Sequence, residues 1–316
     1  MRPFDRYSLD NLFAVFEQPS LLLYEINQLG VELNVQIHSH LDQAGDPIIN
    51  RDWDNLLILD GCRYDLYQSL SQEQGLIDGQ LKRTLSAGSE SWEFMEANFA
   101  DRKLHDIVYV TANPHATTLA DDTFHAVVNL LDEGWDQEFQ TVLPETVVEA
   151  AKQTHRDYPQ KRLIIHFMQP HFPFIGKEGQ RIEQKGLTMH LNEYENTHQQ
   201  VWSQLRYGWV DLDQVWHAYR ENLEIVLRHV KSLLEELSGK SVITSDHGNL
   251  IGERTWPLPA RGYGHPPGLQ VPQLLTVPWH IIESGERRTI VSEPPESIDQ
   301  LDEKTVEQRL KSLGYR

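Results

Sequence analysis

Length, composition and charge set the first limits on this chain. It has 316 residues, 39% of them hydrophobic, which is enough for one large α/β domain with a sizeable core. Its formal net charge of −19 opposes nucleic-acid binding, which needs Lys and Arg at the phosphates. No run reaches the roughly 18 apolar residues of a membrane span, and Met1–Arg6 lacks the apolar core of a signal peptide. We therefore expect a cytoplasmic protein with no membrane span and no nucleic-acid partner.

The first predicted elements lead up to a buried strand. Apolar positions spaced for a helix recur over residues 8–30, and residues 31–37 alternate with period two, which is typical of an edge strand. Asn55–Asp60 is an apolar run the length of a buried strand and ends in an acid. Tyr64–Gln74 is the helix expected to follow it. The pattern predicts the first strand–helix unit of an α/β sheet.

Further strands and helices alternate along the chain. We predict strands at Ile107–Thr111, Leu163–Phe167 and Ser241–Ser245. Helices are predicted over Pro144–Thr154, which starts with a proline, and over Trp216–Leu237, which is amphipathic. Strands that alternate with helices in this way indicate an α/β fold with a doubly wound, mostly parallel sheet and helices on both faces.

The domain organisation is expected to be simple. We find no boundary between independent domains and treat residues 1–316 as a single domain. The polar stretch at about 176–214 is an insertion, interpreted as a surface excursion rather than a dedicated lid. The tail from about 283 is acidic and ends in a short helix, Val306–Leu313.

Two strand ends carry residues that bind metals. Asp60 follows the first strand, and Asp246 and His247 follow the last one. Because ligand sites in open α/β sheets form outside the carboxyl ends of the strands, these side chains could surround one divalent cation. Gly61 and Gly248 would allow the chain to turn at the two sites. An aspartate after a strand can also be a helix N-cap, but a cap requires no histidine beside it.

A serine-rich turn precedes a predicted helix at Trp92–Phe99. It contains Ser89 and Ser91. Unpaired backbone N–H groups at the start of a helix favour anions, so these donors could bind phosphate oxygens. Coordination of a serine hydroxyl by a metal ion would lower its pKa and make it a nucleophile. The alternative is an ordinary N-cap serine.

Two histidine-containing segments remain. His166 to His171 lies at the end of the third predicted strand, and Gly262–Gly268, which contains His265, is a turn-rich loop. Histidines there could hold a second metal, bind substrate oxygens or protonate a leaving group. We interpret the remaining histidines as structural or surface residues, among them His38, His40, His115, His125 and His229.

At these residues the chain resembles the alkaline phosphatase superfamily, in particular its sulfatase-like branch. The matching segments, in the order expected over roughly residues 50–280, are Asp60, the serine turn, Gln169-Pro170-His171, Ser245-Asp246-His247-Gly248 and Gly264-His265-Pro266. The resemblance implies that Asp60, Ser91, Asp246 and His247 ligate one metal. It also implies that His171 and His265 contact the transferred group or the leaving group.

The nucleophile that the resemblance implies is Ser91, with Ser89 as the alternative. Neither serine is followed by the proline and arginine that direct formylglycine formation in true sulfatases. Gln169 stands where two-metal members have an acid, so we expect one divalent ion, either Mn, Zn, Mg or Ca, with a second metal as the alternative.

The predicted function is therefore a metal-dependent hydrolase or transferase that acts on phosphate esters through a serine. Its partner would be a phosphate or sulfate ester of a small molecule, a glycan or a lipid headgroup. Two alternatives stay open, a sulfate-ester hydrolase that uses unmodified serine and a non-catalytic binding protein on the same fold.

Overall fold

The computed structural model describes residues 19–41, 43–119, 122–182, 201–296 and 303–313. Its strands are β1 Asn55–Leu59, β2 Gln80–Leu85, β3 Leu104–Thr111, β4 Phe124–Asn129, β5 Trp135–Asp136, β6 Thr141–Val142, β7 Arg162–Phe167, β8 Gly239–Thr244, β9 Leu250–Arg254, β10 Arg261–Gly264 and β11 Thr276–Ser284. Its helices are α1 Pro19–His38, α2 Tyr64–Gln74, α3 Ser91–Phe99, α4 Pro144–Asp157, α5 Val201–Arg206, α6 Leu212–Leu234, α7 Pro272–Leu275 and α8 Glu303–Ser312. Within these ranges, no helix is both long and apolar enough to cross a bilayer.

Seven strands form one central sheet in the order β2–β11–β8–β1–β7–β3–β4. The pairs from β8 through β4 are parallel, and β11 is antiparallel to both of its neighbours, so six of the seven strands point the same way. The central strand β1 therefore has a parallel neighbour on each side, β8 and β7. All three strands end at one edge of the sheet.

Both faces of the sheet are covered. In β1, Leu57 and Leu59 belong to the core under α2, α4 and α6, while Leu56 and Ile58 pack with α3 and the 3₁₀ turn Ile48–Asn50. Alternate side chains of a strand point to opposite faces, so burial of both faces explains the unbroken apolar run. The predicted doubly wound, mostly parallel sheet with helices on both faces is confirmed.

Near the N-terminus, residues 31–37 are helical, so the predicted edge strand is wrong. They form the second half of α1, whereas residues 8–18 of the predicted helix lie outside the described part of the chain. Val31 and the partly buried Val35 are four residues apart and pack beside Leu250 and Leu269, while Leu33 is exposed. Residues four positions apart lie on one face of a helix, and they also lie on one face of a strand. The spacing of Val31 and Val35 therefore fits both elements.

The insertion and the tail carry more structure than their composition indicates. Residues 183–200 lie outside the described ranges, but α5 directly follows them and buries Val201, Trp202 and Leu205 in the main core. The sheet continues through β11 to Ser284, past the predicted start of the tail. The short C-terminal helix is present as α8.

Candidate active site

The carboxyl ends of β1 and β8 bring three predicted metal ligands together. Asp60 follows β1, and Asp246 and His247 follow its parallel neighbour β8. All three side chains are fully buried, and one ligand atom from each lies within 4.8 Å of the others. The parallel pairing of β1 and β8 therefore produces the constellation expected from the sequence.

Two glycines shape the turns behind these ligands in different ways. Gly61 has a φ of +63°, and a Cβ there would lie 2.5 Å from Nδ2 of Asn249. Gly248 does not adopt a positive φ, and its Cβ would instead lie 2.1 Å from the carbonyl oxygen of Gln273. Gly61 thus permits the turn after β1, as predicted, whereas Gly248 permits close packing of two backbone segments.

His247 presents a lone pair to the two carboxylates when its ring is neutral. Its Nδ1 lies 2.7 Å from the carbonyl oxygen of Gly248, which can only accept, so Nδ1 carries the proton. Nε2 lies 3.6 Å from Oδ1 of Asp60 and 3.6 Å from Oδ2 of Asp246. A neutral imidazole and two carboxylates that converge in a buried site are the ligands a divalent cation takes.

Asp246 is held in its ionised form. Its Oδ1 accepts hydrogen bonds from the backbone N–H groups of Gly61 at 3.0 Å and His247 at 2.9 Å. Burial opposes ionisation, but electrostatic attraction to His247 and hydrogen bonds from the Ser91 hydroxyl and the Gly61 N–H hold the pKa of Asp246 below its ordinary value. The site therefore carries a buried negative charge at neutral pH.

Ser91 points into this cluster and Ser89 does not. The Ser91 hydroxyl, on the first residue of α3, donates to Oδ2 of Asp246 at 2.6 Å, and Nε2 of His247 lies 3.4 Å from Oγ. The hydroxyl of Ser89 instead donates to Oε2 of Glu93 at 2.7 Å, within the same helix start. Of the two candidate nucleophiles, Ser91 is the one whose oxygen lies beside the predicted metal ligands.

The N-terminus of α3 already binds a carboxylate of this chain. Oε2 of Glu90 accepts from the N–H of Trp92 at 3.0 Å, and Oε1 accepts from the N–H of Glu93 at 2.8 Å. Burial raises the pKa of Glu90, although the same hydrogen bonds oppose the rise. The prediction that these N–H groups are open to phosphate oxygens is wrong for this conformation, because Glu90 caps the helix.

Asn113 belongs to the site and was not predicted from the sequence. Its Nδ2 donates to Oδ2 of Asp60 at 2.7 Å and lies 3.2 Å from Oγ of Ser91. Its Oδ1 accepts from the N–H of His115, which fixes the amide orientation. The available signal was its position just after β3, whose carboxyl end lies at the same edge of the sheet as those of β1 and β8.

His171 and His265 form a pair next to the cluster. Their Nε2 atoms lie 3.0 Å apart, and the ring centroids of His265 and His247 are 4.5 Å apart. Nδ1 of His171 lies 2.6 Å from the carbonyl oxygen of Phe172 and so carries the proton of the neutral ring, which makes Nε2–H of His265 the donor within the pair. Burial lowers the pKa of His171 to about 3, so its ring is neutral at pH 7.

His166 lies on the inner side of the cluster. It is fully buried on β7, and its Nε2 is 3.8 Å from Oδ2 of Asp60 and 3.8 Å from Oδ2 of Asp246. Nδ1 lies 2.7 Å from the hydroxyl oxygen of Tyr109. Burial lowers the pKa of His166 to about 4, so this ring is also neutral at pH 7.

Similarity to known proteins is detected only among solved structures. No family model and no curated protein matches the chain. The C-terminal periplasmic domain of EptC from Escherichia coli, solved in complex with Zn, is 13% identical with a TM-score of 0.46, over 77% of each chain. The corresponding periplasmic domain of the phosphoethanolamine transferase EptC from Campylobacter jejuni is 12% identical with a TM-score of 0.45, over 75% of this chain and 82% of that one.

A third similar structure is a protein of the alkaline phosphatase superfamily from Vibrio parahaemolyticus. It is 11% identical with a TM-score of 0.42, over 91% of this chain and 75% of that one. The superfamily that the sequence resembles is thus also the one named for this structure. Such low identities and TM-scores assign no activity to the chain.

The comparisons contradict the predicted cytoplasmic location. Both EptC structures are described as periplasmic domains. The prediction depended on the lack of an apolar run long enough to span a membrane and on Met1–Arg6, which lacks the apolar core of a signal peptide. Folded domains on either side of a membrane lack such runs, so this feature did not separate the two locations.

Proposed function

We propose that this chain is a metal-dependent enzyme that acts on phosphate esters with Ser91 as the nucleophile. The observation that carries the proposal is the position of the Ser91 hydroxyl, which starts α3 and donates to a buried carboxylate of the Asp60, Asp246 and His247 cluster. A serine with an adjacent acceptor in a buried polar site is the arrangement expected of an activated nucleophile.

The residues present fit one divalent cation. Asp60, Asp246 and His247 would hold it together with Ser91, since their ligand atoms converge and the lone pair of His247 points at two carboxylates. When bound, the ion would lower the pKa of the Ser91 hydroxyl and offset negative charge on the transferred group. This mixed oxygen and nitrogen ligand set does not choose among Mn, Zn, Mg and Ca.

The surrounding side chains would position and stabilise the serine oxygen. The hydrogen bond to Oδ2 of Asp246 holds the Ser91 hydroxyl proton and gives it an acceptor to move to as the oxygen attacks phosphorus. Nδ2 of Asn113, at 3.2 Å from Oγ, is a donor that would stabilise the oxygen as it gains negative charge. The bond from Ser91 Oγ to phosphorus then forms as the bond to the leaving oxygen breaks.

The histidine pair is placed to receive the leaving group. His265 carries a proton on Nε2 beside His171, and either ring would contact an oxygen of the transferred or leaving group. Hydrogen bonding from Nε2–H to the leaving oxygen as it gains negative charge is the role we propose for His265, with His171 fixing its orientation and water supplying the proton of the released alcohol. Water would resolve the phosphoserine in a hydrolase and an acceptor alcohol in a transferase, so the site supports either reaction.

Activity measurements on matched substrates test this proposal. Wild type, Ser91→Ala and Ser89→Ala would be assayed with each of the four metals on an aryl phosphate, an alkyl aryl phosphodiester and an aryl sulfate. We expect metal-dependent turnover of a phosphate substrate that falls by at least about a thousandfold in Ser91→Ala and is retained in Ser89→Ala.

Other outcomes of this assay separate the alternatives. Turnover of the sulfate alone would favour a sulfate-ester hydrolase that uses unmodified serine. Binding of metal and of a phosphorylated or sulfated glycan or lipid headgroup without turnover would favour a non-catalytic binding protein. Retained phosphate turnover in Ser91→Ala would refute the assignment of the nucleophile.

A further inference from the structure

His166 is a fully buried polar side chain that the chemistry proposed above does not use. It lies in the middle of the sheet on β7, where Ile58 of β1 is its register partner. Its Nε2 makes no hydrogen bond to any residue in the described part of the chain. A buried nitrogen without a partner is destabilising, so its retention beside two carboxylates calls for an explanation.

We propose that His166 is a further protein ligand, through Nε2, of the cation held by Asp60, Asp246 and His247. The inference rests on the metal site of the proposed function and adds a second imidazole to it. The oxygen and nitrogen ligands would then approach the ion from three neighbouring strands, β8, β1 and β7.

The distances distinguish a shared ion from a hydrogen bond. Nε2 of His166 lies 3.8 Å from Oδ2 of Asp60 and 3.8 Å from Oδ2 of Asp246, which is too long for an N–H···O hydrogen bond. Two atoms that each coordinate an ion at about 2.1 Å can lie up to about 4.2 Å apart. These separations are slightly longer than the 3.6 Å from Nε2 of His247 to Oδ1 of Asp60 and to Oδ2 of Asp246.

The other ring nitrogen is held as in metal-ligating histidines. Nδ1 lies 2.7 Å from the Tyr109 hydroxyl, and the two rings stack with an interplanar angle of 18°. If Nδ1–H donates to this hydroxyl oxygen, Nε2 keeps its lone pair on the side of the carboxylates. Ligating histidines usually donate their second N–H to a neighbouring group, which fixes the tautomer and the ring orientation.

The chain contains a matched control for this histidine. His280, on β11 of the same sheet, is also buried, and its Nδ1 lies 2.8 Å from the hydroxyl of Tyr67. It forms no ion pair with a carboxylate among the described residues. His280→Asn therefore removes a buried histidine that also contacts a tyrosine hydroxyl through Nδ1. No metal-binding cluster is found at His280 among the described residues.

Metal affinity and ligand counting test the proposal without an activity assay. Zn²⁺ and Co²⁺ dissociation constants would be measured by chelator competition for wild type, His166→Asn and His280→Asn. X-ray absorption of the Zn-loaded proteins would count the imidazole nitrogens. We expect His166→Asn to bind metal more than about 100-fold more weakly, beyond the loss typical of a residue that only orients a ligand, and to lose one imidazole. His280→Asn should resemble wild type in both.

A second variant covers the case in which His166→Asn does not fold. Tyr109→Phe removes only the hydroxyl at Nδ1 and should weaken metal binding by a smaller factor with an unchanged imidazole count. Wild-type affinity and an unchanged count in folded His166→Asn would overturn the inference while leaving the proposed function in place. Absence of metal binding in wild type would overturn both.

Discussion

Replacing Asp246 with asparagine is expected to remove the stabilisation that a bound metal ion gives this protein. Without metal, Asp60 and Asp246 place two carboxylates in a buried site, with ligand atoms within 4.8 Å of each other. At that distance two unit charges repel by about 3 kcal/mol for an effective dielectric constant of about 20. The amide of Asp246→Asn would keep an oxygen that accepts from the N–H groups of Gly61 and His247, while it removes one charge.

The repulsion between the two carboxylates, like the cost of burial, is outweighed in the folded protein, because attraction to His247 and hydrogen bonds hold the pKa of Asp246 below its ordinary value, so the metal-free variant should be less stable than wild type. With metal the difference grows, because metal at about 1,000 times the dissociation constant stabilises only the protein that binds it, by about 4 kcal/mol. We expect the wild-type Tm to rise by several degrees on addition of metal after chelator treatment, and the Tm of Asp246→Asn to stay nearly unchanged.

Differential scanning calorimetry with and without metal measures this difference. Asp54→Asn is the matched control, because Asp54 is also buried but bonds Lys240 and Arg287 away from the cluster. This variant should lose stability equally in both states and keep the full metal-induced shift. A metal-induced shift in Asp246→Asn equal to that of wild type would refute the assignment of the site.

Three further predictions concern residues around the cluster. Glu90→Gln removes a negative charge from the start of α3. Inorganic phosphate should therefore inhibit the variant enzyme up to about fivefold more strongly than wild type. Unchanged inhibition constants would show that phosphate binds elsewhere. Gly61→Ala should lower the free energy of unfolding by about 1–3 kcal/mol, measured by urea unfolding. The loss should be larger than in Gly75→Ala, because Gly75 also has a positive φ but has open space where a Cβ would lie. The pKa of His171 is about 3 in the folded state against 6.5 for the free side chain, so the unfolded state binds the proton first. Stability should be full above pH 6.5 and lower by about 2 kcal/mol at pH 5, and His171→Asn should show a flatter urea-midpoint profile between these values.

The part of the fold that was predicted from the sequence is its centre. Leu56 to Leu59 is buried on both faces, so it is apolar without interruption, and such runs mark the strands that carry Asp60 and Asp246. Because parallel strands end at one edge, the position of a residue after each strand was enough to bring the cluster together. The arrangement of the whole chain as a single domain stays a prediction.

The elements that were missed depend on contacts between distant segments. β2 is polar and half-exposed at the edge of the sheet, and β11 reaches the sheet by antiparallel pairing, so neither shows the pattern of a central strand. The Glu90 cap is local, since Glu90 accepts from Trp92 and Glu93, but glutamate is not among the residues usual at an N-cap. His166 lies within an apolar strand and is indistinguishable there from a packed core residue, since the sequence does not contain its distances to the carboxylates.

Identification of the covalent intermediate tests the central claim most directly. The metal-loaded protein would be mixed with the aryl phosphate that it turns over, quenched in acid during turnover and mapped by peptide mass spectrometry. The account predicts a phosphoryl group on Ser91 that is absent from Ser91→Ala. A phosphoryl group on Ser89, or turnover with no phosphorylated residue, would contradict it.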